Sequence, residues 1–208
     1  MRCVTGFMTI IVIEGLSLTG KTTLCTKLIQ QYSRLGKKCK YCHHGHLIGD
    51  PKGEYFYRKA IDAYNSWLVQ DALRWSFLSL QQDWGTFVSE SELYSEVDIF
   101  FLDRHYTSQY VAAEHFRCDV QDAFHRPSCY FEFLITADHG ELLKRASARG
   151  DNHSRLTDYT LSNPKIHSDF EQLYKKHEAL AGTPSEHIIS NNDFSAFEKL
   201  ILLINRLI

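Results

Sequence analysis

Proline is scarce, four in 208 residues, and no stretch rich in proline, glycine or serine divides the chain. Without such a linker, and with enough length to bury a sizeable core, one domain over 1–208 is expected. Long apolar runs are lacking as well. The C-terminal Leu200 to Ile208 is interrupted by Asn205 and Arg206 and is far shorter than the roughly 20 residues of a membrane span, so no membrane is expected as a partner. Met1 to Met8 is too short to hold the apolar centre of a signal peptide, which leaves the cytoplasm as the default location. Neither sign of charge dominates: 23 basic residues against 25 acidic ones leave a net charge of −2. That balance excludes a broad electrostatic footprint for nucleic acid, and any phosphate site must be local. There is no internal repeat and no guanine-reading Asn-Lys-x-Asp signature.

Six cysteines (Cys3, Cys25, Cys39, Cys42, Cys118 and Cys129) without an export signal read as buried thiols rather than a disulfide framework. The run Cys39-Lys40-Tyr41-Cys42-His43 matches a haem-attachment spacing, and with His44 and His46 it suggests zinc. In a strand, however, Cys39 and Cys42 would point to opposite faces and could not share an ion.

The strongest signal is Gly15 to Thr23, GLSLTGKTT, directly behind the apolar Ile10 to Ile13 and Glu14. Gly15, Gly20, Lys21 and Thr22 fill the Walker A template Gly-x-x-x-x-Gly-Lys-Ser/Thr. That spacing wraps backbone N–H groups, those of Ser17, Thr19 and Thr23 among them, around a polyphosphate at a helix N-terminus. Lys21 would sit on the β- and γ-phosphates of ATP, Thr22 would hold the bridging Mg2+, and Thr23 could help cap the helix.

Strands and helices then alternate. Apolar spacing predicts a helix over Leu24–Leu35, a strand over Cys39–His43 and two helices between Glu54 and Trp84 that break near Asn65-Ser66. Another helical piece is predicted over Phe87–Tyr94, followed by a buried strand, Ile99–Leu102, ending in Asp103-Arg104. Helices over Thr107–Phe116, Asp138–Ala148, Pro164–Leu180 and Ser195–Leu207 flank strands over Tyr130–Ile135 and His187–Ile189. Asp138 is the predicted cap of its helix and Gly150 its stop, and polar Gly150–Tyr159 is predicted as a loop. The fold class is therefore α/β: a three-layer P-loop kinase fold with about five parallel strands, helices on both faces and the ligand beyond the strands' carboxyl ends. At such an end, Asp103 can hold water on magnesium and Arg104 can grip an acceptor or the moving phosphoryl group. Lys144, Arg145, Arg149 and Arg155 surround a segment, about 149–159, placed to act as a lid.

These residues resemble the thymidylate kinase-like family of P-loop kinases over nearly the full length. The resemblance is carried by Glu14-Gly15, Gly53-Glu54, Asp103-Arg104-His105-Tyr106-Thr107-Ser108, Leu142 to Gly150 and the helix Phe170 to Leu180. It implies ATP and Mg2+ on Lys21 and Thr22, magnesium and acceptor on Asp103 and Arg104, and lid arginines, Arg149 and Arg155, on the transferring group. Tyr106, and Gln82 beside Asp83, would lie near the acceptor, and a homodimer is compatible with the resemblance. Three departures stand out. The family's Arg-Glu-Pro at the end of the second strand reads His43-His44-Gly45-His46, its nucleotide-contacting arginine falls near Gln82-Asp83, and its Asp-Gly pair in the P-loop is Ser17-Leu18.

The expected activity is transfer of the γ-phosphoryl group from ATP to a small-molecule acceptor. A nucleoside monophosphate is slightly preferred on family grounds. A nucleoside or other small hydroxyl compound follows closely, because the phosphate-gripping arginine is absent; His43, His46 or Asp103 could then take the hydroxyl proton. An alternative of another class is a nucleotide-binding switch that phosphorylates nothing else.

Overall fold

The computed structural model describes residues 8–43, 50–119, 127–150, 154–193 and 195–208. Five parallel strands form one sheet: β1 (Thr9–Glu14), β2 (Cys39–His43), β3 (Ile99–Asp103), β4 (Tyr130–Thr136) and β5 (Ile188–Ser190), in the order β2-β3-β1-β4-β5. The helices between them are α1 (Lys21–Arg34), α2 (Pro51–Asn65), α3 (Val69–Ser89), α4 (Tyr106–His115), α5 (His139–Arg149), α6 (Arg155–Leu161), α7 (Pro164–Leu180) and α8 (Ser195–Ile204).

The central strands are apolar on both faces because both are covered. Ile11 and Ile13 of β1, Phe101 and Phe133 pack with Leu28 of α1 and Leu200 of α8 on one side. Ile10 and Val12 meet Phe100 and Phe87 of α3 on the other, and Leu134 packs there with Val111 of α4 and Phe170 of α7. Cys39 and Cys42 fall on opposite faces, joining different clusters. Among the described residues no helix is long and apolar enough to cross a membrane.

Local chemistry sets the boundaries. Asp50 accepts from the N–H groups of Lys52 and Gly53 to start α2 behind Pro51, and Asn163 does the same for α7 through Lys165, behind Pro164. The expected break near Asn65-Ser66 is present. The separate helix expected over Phe87–Tyr94 is not: α3 runs on to Ser89, since Phe87 continues its buried face, and only a single 3-10 turn, Ser91–Tyr94, follows.

Two other expectations are corrected. Asp138 occupies the N-cap position of α5, but its side chain makes no capping hydrogen bond. The expected loop over Gly150–Tyr159 contains the start of α6: the Ser154 hydroxyl accepts from the Thr157 N–H at 3.2 Å, and Leu156 and Tyr159 pack on the cluster around Phe170. Ser154 with Leu156 and Tyr159 was the readable signal, masked by the polar composition around it.

Candidate active site

The carboxyl ends of β1 and β3 bring the chemistry together. After β1 the chain turns through Gly15, at φ 133°, and Gly20, at φ 94°, the second serving as N-cap of α1. Both angles suit glycine, and space demands it too: a Cβ on Gly15 would lie 2.2 Å from the Ile135 carbonyl oxygen and one on Gly20 2.5 Å from Asn191 Nδ2. Leu18, where the resemblance expects glycine, holds a left-handed φ of 68°.

Lys21 is buried, and its ammonium donates to the Leu16 carbonyl at 2.5 Å. Burial first, and then the Arg104 guanidinium, bring its pKa down to about 7. Thr22 Oγ1 donates to Asp103 Oδ2, and the Tyr41 hydroxyl donates to the same oxygen at 3.3 Å. His43, paired in register with Asp103, places Nδ1 3.7 Å from it. Burial would raise the Asp103 carboxyl, but the His43 ring, Lys21, Thr22 and Arg104 outweigh it and hold it well below the usual carboxylate range. An ionised carboxylate beside a hydroxyl suits Mg2+, which takes one or two protein oxygens and fills its octahedron with phosphate and water oxygens.

Arg104 follows in a strained left-handed conformation, φ 70°, with its N–H on the Ile13 carbonyl. Its NH2 group donates to Ser17 Oγ at 2.8 Å, and its buried Nε has no hydrogen-bond partner among the described residues. Behind it Glu14 accepts from the His105 N–H at 2.7 Å and from the Ser108 hydroxyl. Burial raises the Glu14 carboxyl despite both bonds. This buried carboxylate ties the start of the P-loop to the start of α4.

A cavity lies on each side of the loop. One, of about 310 Å³, begins at Leu16, Ser17 and Arg104 and extends between α2, α3, α4, α6 and α7. The other, of about 350 Å³, adjoins Gly20, Thr23, Lys27, Arg145 and Asn191. Arg145 frames it by donating to the carbonyls of Leu18 at 3.1 Å and Asn191 at 2.5 Å, while Asn191 Nδ2 donates to the Thr19 carbonyl at 2.6 Å.

By sequence the chain matches no family model and no curated protein. In structure it is similar to the thymidylate kinase of Candida albicans, with a TM-score of 0.57 at 15% identity, over 98% of this chain and 93% of that one. The chain has the thymidylate kinase-like P-loop fold.

On that thymidylate kinase-like frame, Gly15, Ser17, Thr19, Gly20, Lys21, Thr22, Asp103 and Arg104 converge, with His43 beside them. Thr23 is exposed and caps nothing; it borders the second cavity instead. His46 lies outside the described residues. Four other candidates are not brought to the site. Gln82 Nε2 bonds to Thr86 on its own helix and does not line the cavity, because the α3 face that does so carries Ser76, Ser79 and Leu80. Tyr106 is buried in the core against Phe77 and Leu80, behind the cavity wall. Arg149 ends α5 and Arg155 begins α6; both are exposed and neither lines either of these two cavities, although Ser154 and Leu156 line the first.

Sequence reasoning did not single out Tyr41 or Asn191, whose roles depend on register and on the β5 turn. Arg145, expected beside the lid segment, instead braces the P-loop through the carbonyls of Leu18 and Asn191.

Proposed function

We propose that this chain is an ATP- and magnesium-dependent kinase that moves the γ-phosphoryl group onto a small acceptor. The observation that carries this reading is the pair of cavities flanking one phosphate cradle. The Gly20–Arg145–Asn191 cavity would seat the nucleoside end of ATP, the loop N–H groups and Lys21 the phosphates, and the cavity beyond Ser17 and Arg104 the acceptor. Bound magnesium, held through Thr22 and Asp103, would supply charge neutralisation at the phosphates. Arg104, anchored by Ser17 with Nε still available, would stabilise charge on the phosphoryl group as it passes. On this reading the reaction would run in the cytoplasm, where ATP is abundant and thiols stay reduced.

The test is ATP consumption with and without added acceptors, in the wild type and in Lys21→Ala. Acceptor-dependent turnover should fall by roughly 10²-fold or more in the variant. A folded Lys21→Ala protein keeping more than about a tenth of wild-type turnover would sink the P-loop assignment. ATP binding with no dependence on any acceptor would instead favour a nucleotide-binding switch.

A further inference from the structure

The acceptor cavity carries too little positive charge for a dianion. Among the described residues Arg104 is the one permanently cationic side chain that lines it, and one arm of that guanidinium is taken by Ser17. Arg58, on α2, turns to Glu54 at 3.0 Å, and Arg155 is exposed.

Several hydroxyls on the wall are already committed. Ser79 donates to the Gly53 carbonyl at 2.7 Å, Ser108 to Glu14, and Tyr174 to the Gly15 carbonyl at 3.3 Å. They offer a phosphate ester few donors. A dianion placed there would lose its hydration without enough cations or N–H groups in exchange, beside a triphosphate of the same sign. Much of the remaining wall is apolar or aromatic, with the rings of Tyr57, Tyr64 and Phe170 around Leu80 and Ala112, and its amides and hydroxyls, those of Asn65, Gln109 and Thr160 among them, carry no charge to set against a dianion. A volume of about 310 Å³ is at the small end for ligand pockets.

We propose that the acceptor is an uncharged hydroxyl compound of nucleoside size carrying a flat ring, and that its hydroxyl oxygen receives the phosphoryl group. This rests on the kinase reading above and departs from the monophosphate favoured by family resemblance. The flat ring lies among the tyrosines and Phe170, and the hydroxyl faces Ser17 and Arg104 at the mouth. The bond between that oxygen and the γ-phosphorus forms, and the bond from phosphorus to the β,γ-bridging oxygen breaks, releasing ADP. The hydroxyl proton ends on the new phosphate monoester and is lost to water at neutral pH, since its second ionisation lies near 6.

The experiment offers matched pairs, each nucleoside with its own 5′-monophosphate, together with ring-bearing alcohols that are not nucleosides. Binding to the full chain is measured by calorimetry without ATP, and products are read by mass after ATP and magnesium are added. The uncharged members should bind at least about tenfold more tightly than their monophosphates and gain one phosphoryl group on a hydroxyl. Tenfold preference for the monophosphates, with nucleoside diphosphates as products, overturns the proposal and leaves the kinase reading intact. Binding of ATP with no member of any pair and none of the other alcohols bound or phosphorylated overturns both.

Discussion

Replacing Gly15 and Gly20 by alanine separates the fold's need for glycine from the nucleotide's. A Cβ on Gly15 would sit 2.2 Å from the Ile135 carbonyl oxygen and 3.2 Å from its carbon, both backbone atoms of a central strand. Relief requires a shift of about 1 Å in β4, where Leu134 pairs with Glu14 and Ile135 with Ile189. Loosening two ladder hydrogen bonds costs about 1 kcal/mol each, and an alanine held at φ 133° adds roughly 1–3 kcal/mol. The sum, about 3–5 kcal/mol, corresponds to a fall in Tm of roughly 6–20 °C for a domain of this size. At Gly20 the obstacle is Asn191 Nδ2, a side-chain atom that can rotate away by giving up its bond to the Thr19 carbonyl. Gly20→Ala should therefore cost about 2–3 kcal/mol and weaken ATP binding, because Asn191 and the loop N–H groups move together. Thermal denaturation monitored by circular dichroism, with ATP titration of each variant, checks both. A Gly15→Ala protein unfolding within about 2 °C of the wild type, or a larger loss at Gly20 than at Gly15, would refute the geometric argument.

Lys21, held near 7 by burial and by Arg104, should return toward its ordinary value once polyphosphate faces it, so ATP binding takes up a proton. The sign follows: apparent affinity falls as pH rises above about 7, by up to about tenfold per unit, and uptake approaches one proton near pH 8. Calorimetry in buffers of different ionisation heat measures it, and equal uptake by Lys21→Ala would contradict it. Asp103→Asn should raise the magnesium concentration needed for half-maximal rate by about tenfold or more, whereas Arg104→Ala should cut kcat by roughly 10²-fold with magnesium dependence unchanged. Equal, small effects of both would mark the two as merely structural. Tyr41→Phe, which removes the hydroxyl donating to Asp103 at 3.3 Å, should weaken Mn2+ binding to the ATP complex several-fold by electron paramagnetic resonance, and an unchanged affinity would show that Asp103 needs no such support.

The P-loop was legible because its chemistry is local: two glycines, a lysine and a threonine within eight positions must turn a strand into a helix N-terminus around phosphate, whatever surrounds them. The continuous apolar run before Asp103-Arg104 likewise announced a strand buried on both faces, and so put that pair at the ligand's end of the sheet. Helix spacing announced α7 to the residue, since Asn163 and Pro164 mark its start chemically. Gln82, Tyr106, Arg149 and Arg155 lie on the expected elements without lining these cavities. Sequence adjacency puts a residue on the right element, but the rotation of a helix decides which neighbour faces the cavity, and here Ser79, Ser108, Ser154 and Leu156 do. Only the tertiary structure could set Tyr41 and His43 against Asp103, through the β2–β3 register, or bring Arg145 and Asn191 to the P-loop carbonyls across 127 and 172 residues. Those contacts come from the order in which the strands pair, which depends on the packing of the whole sheet.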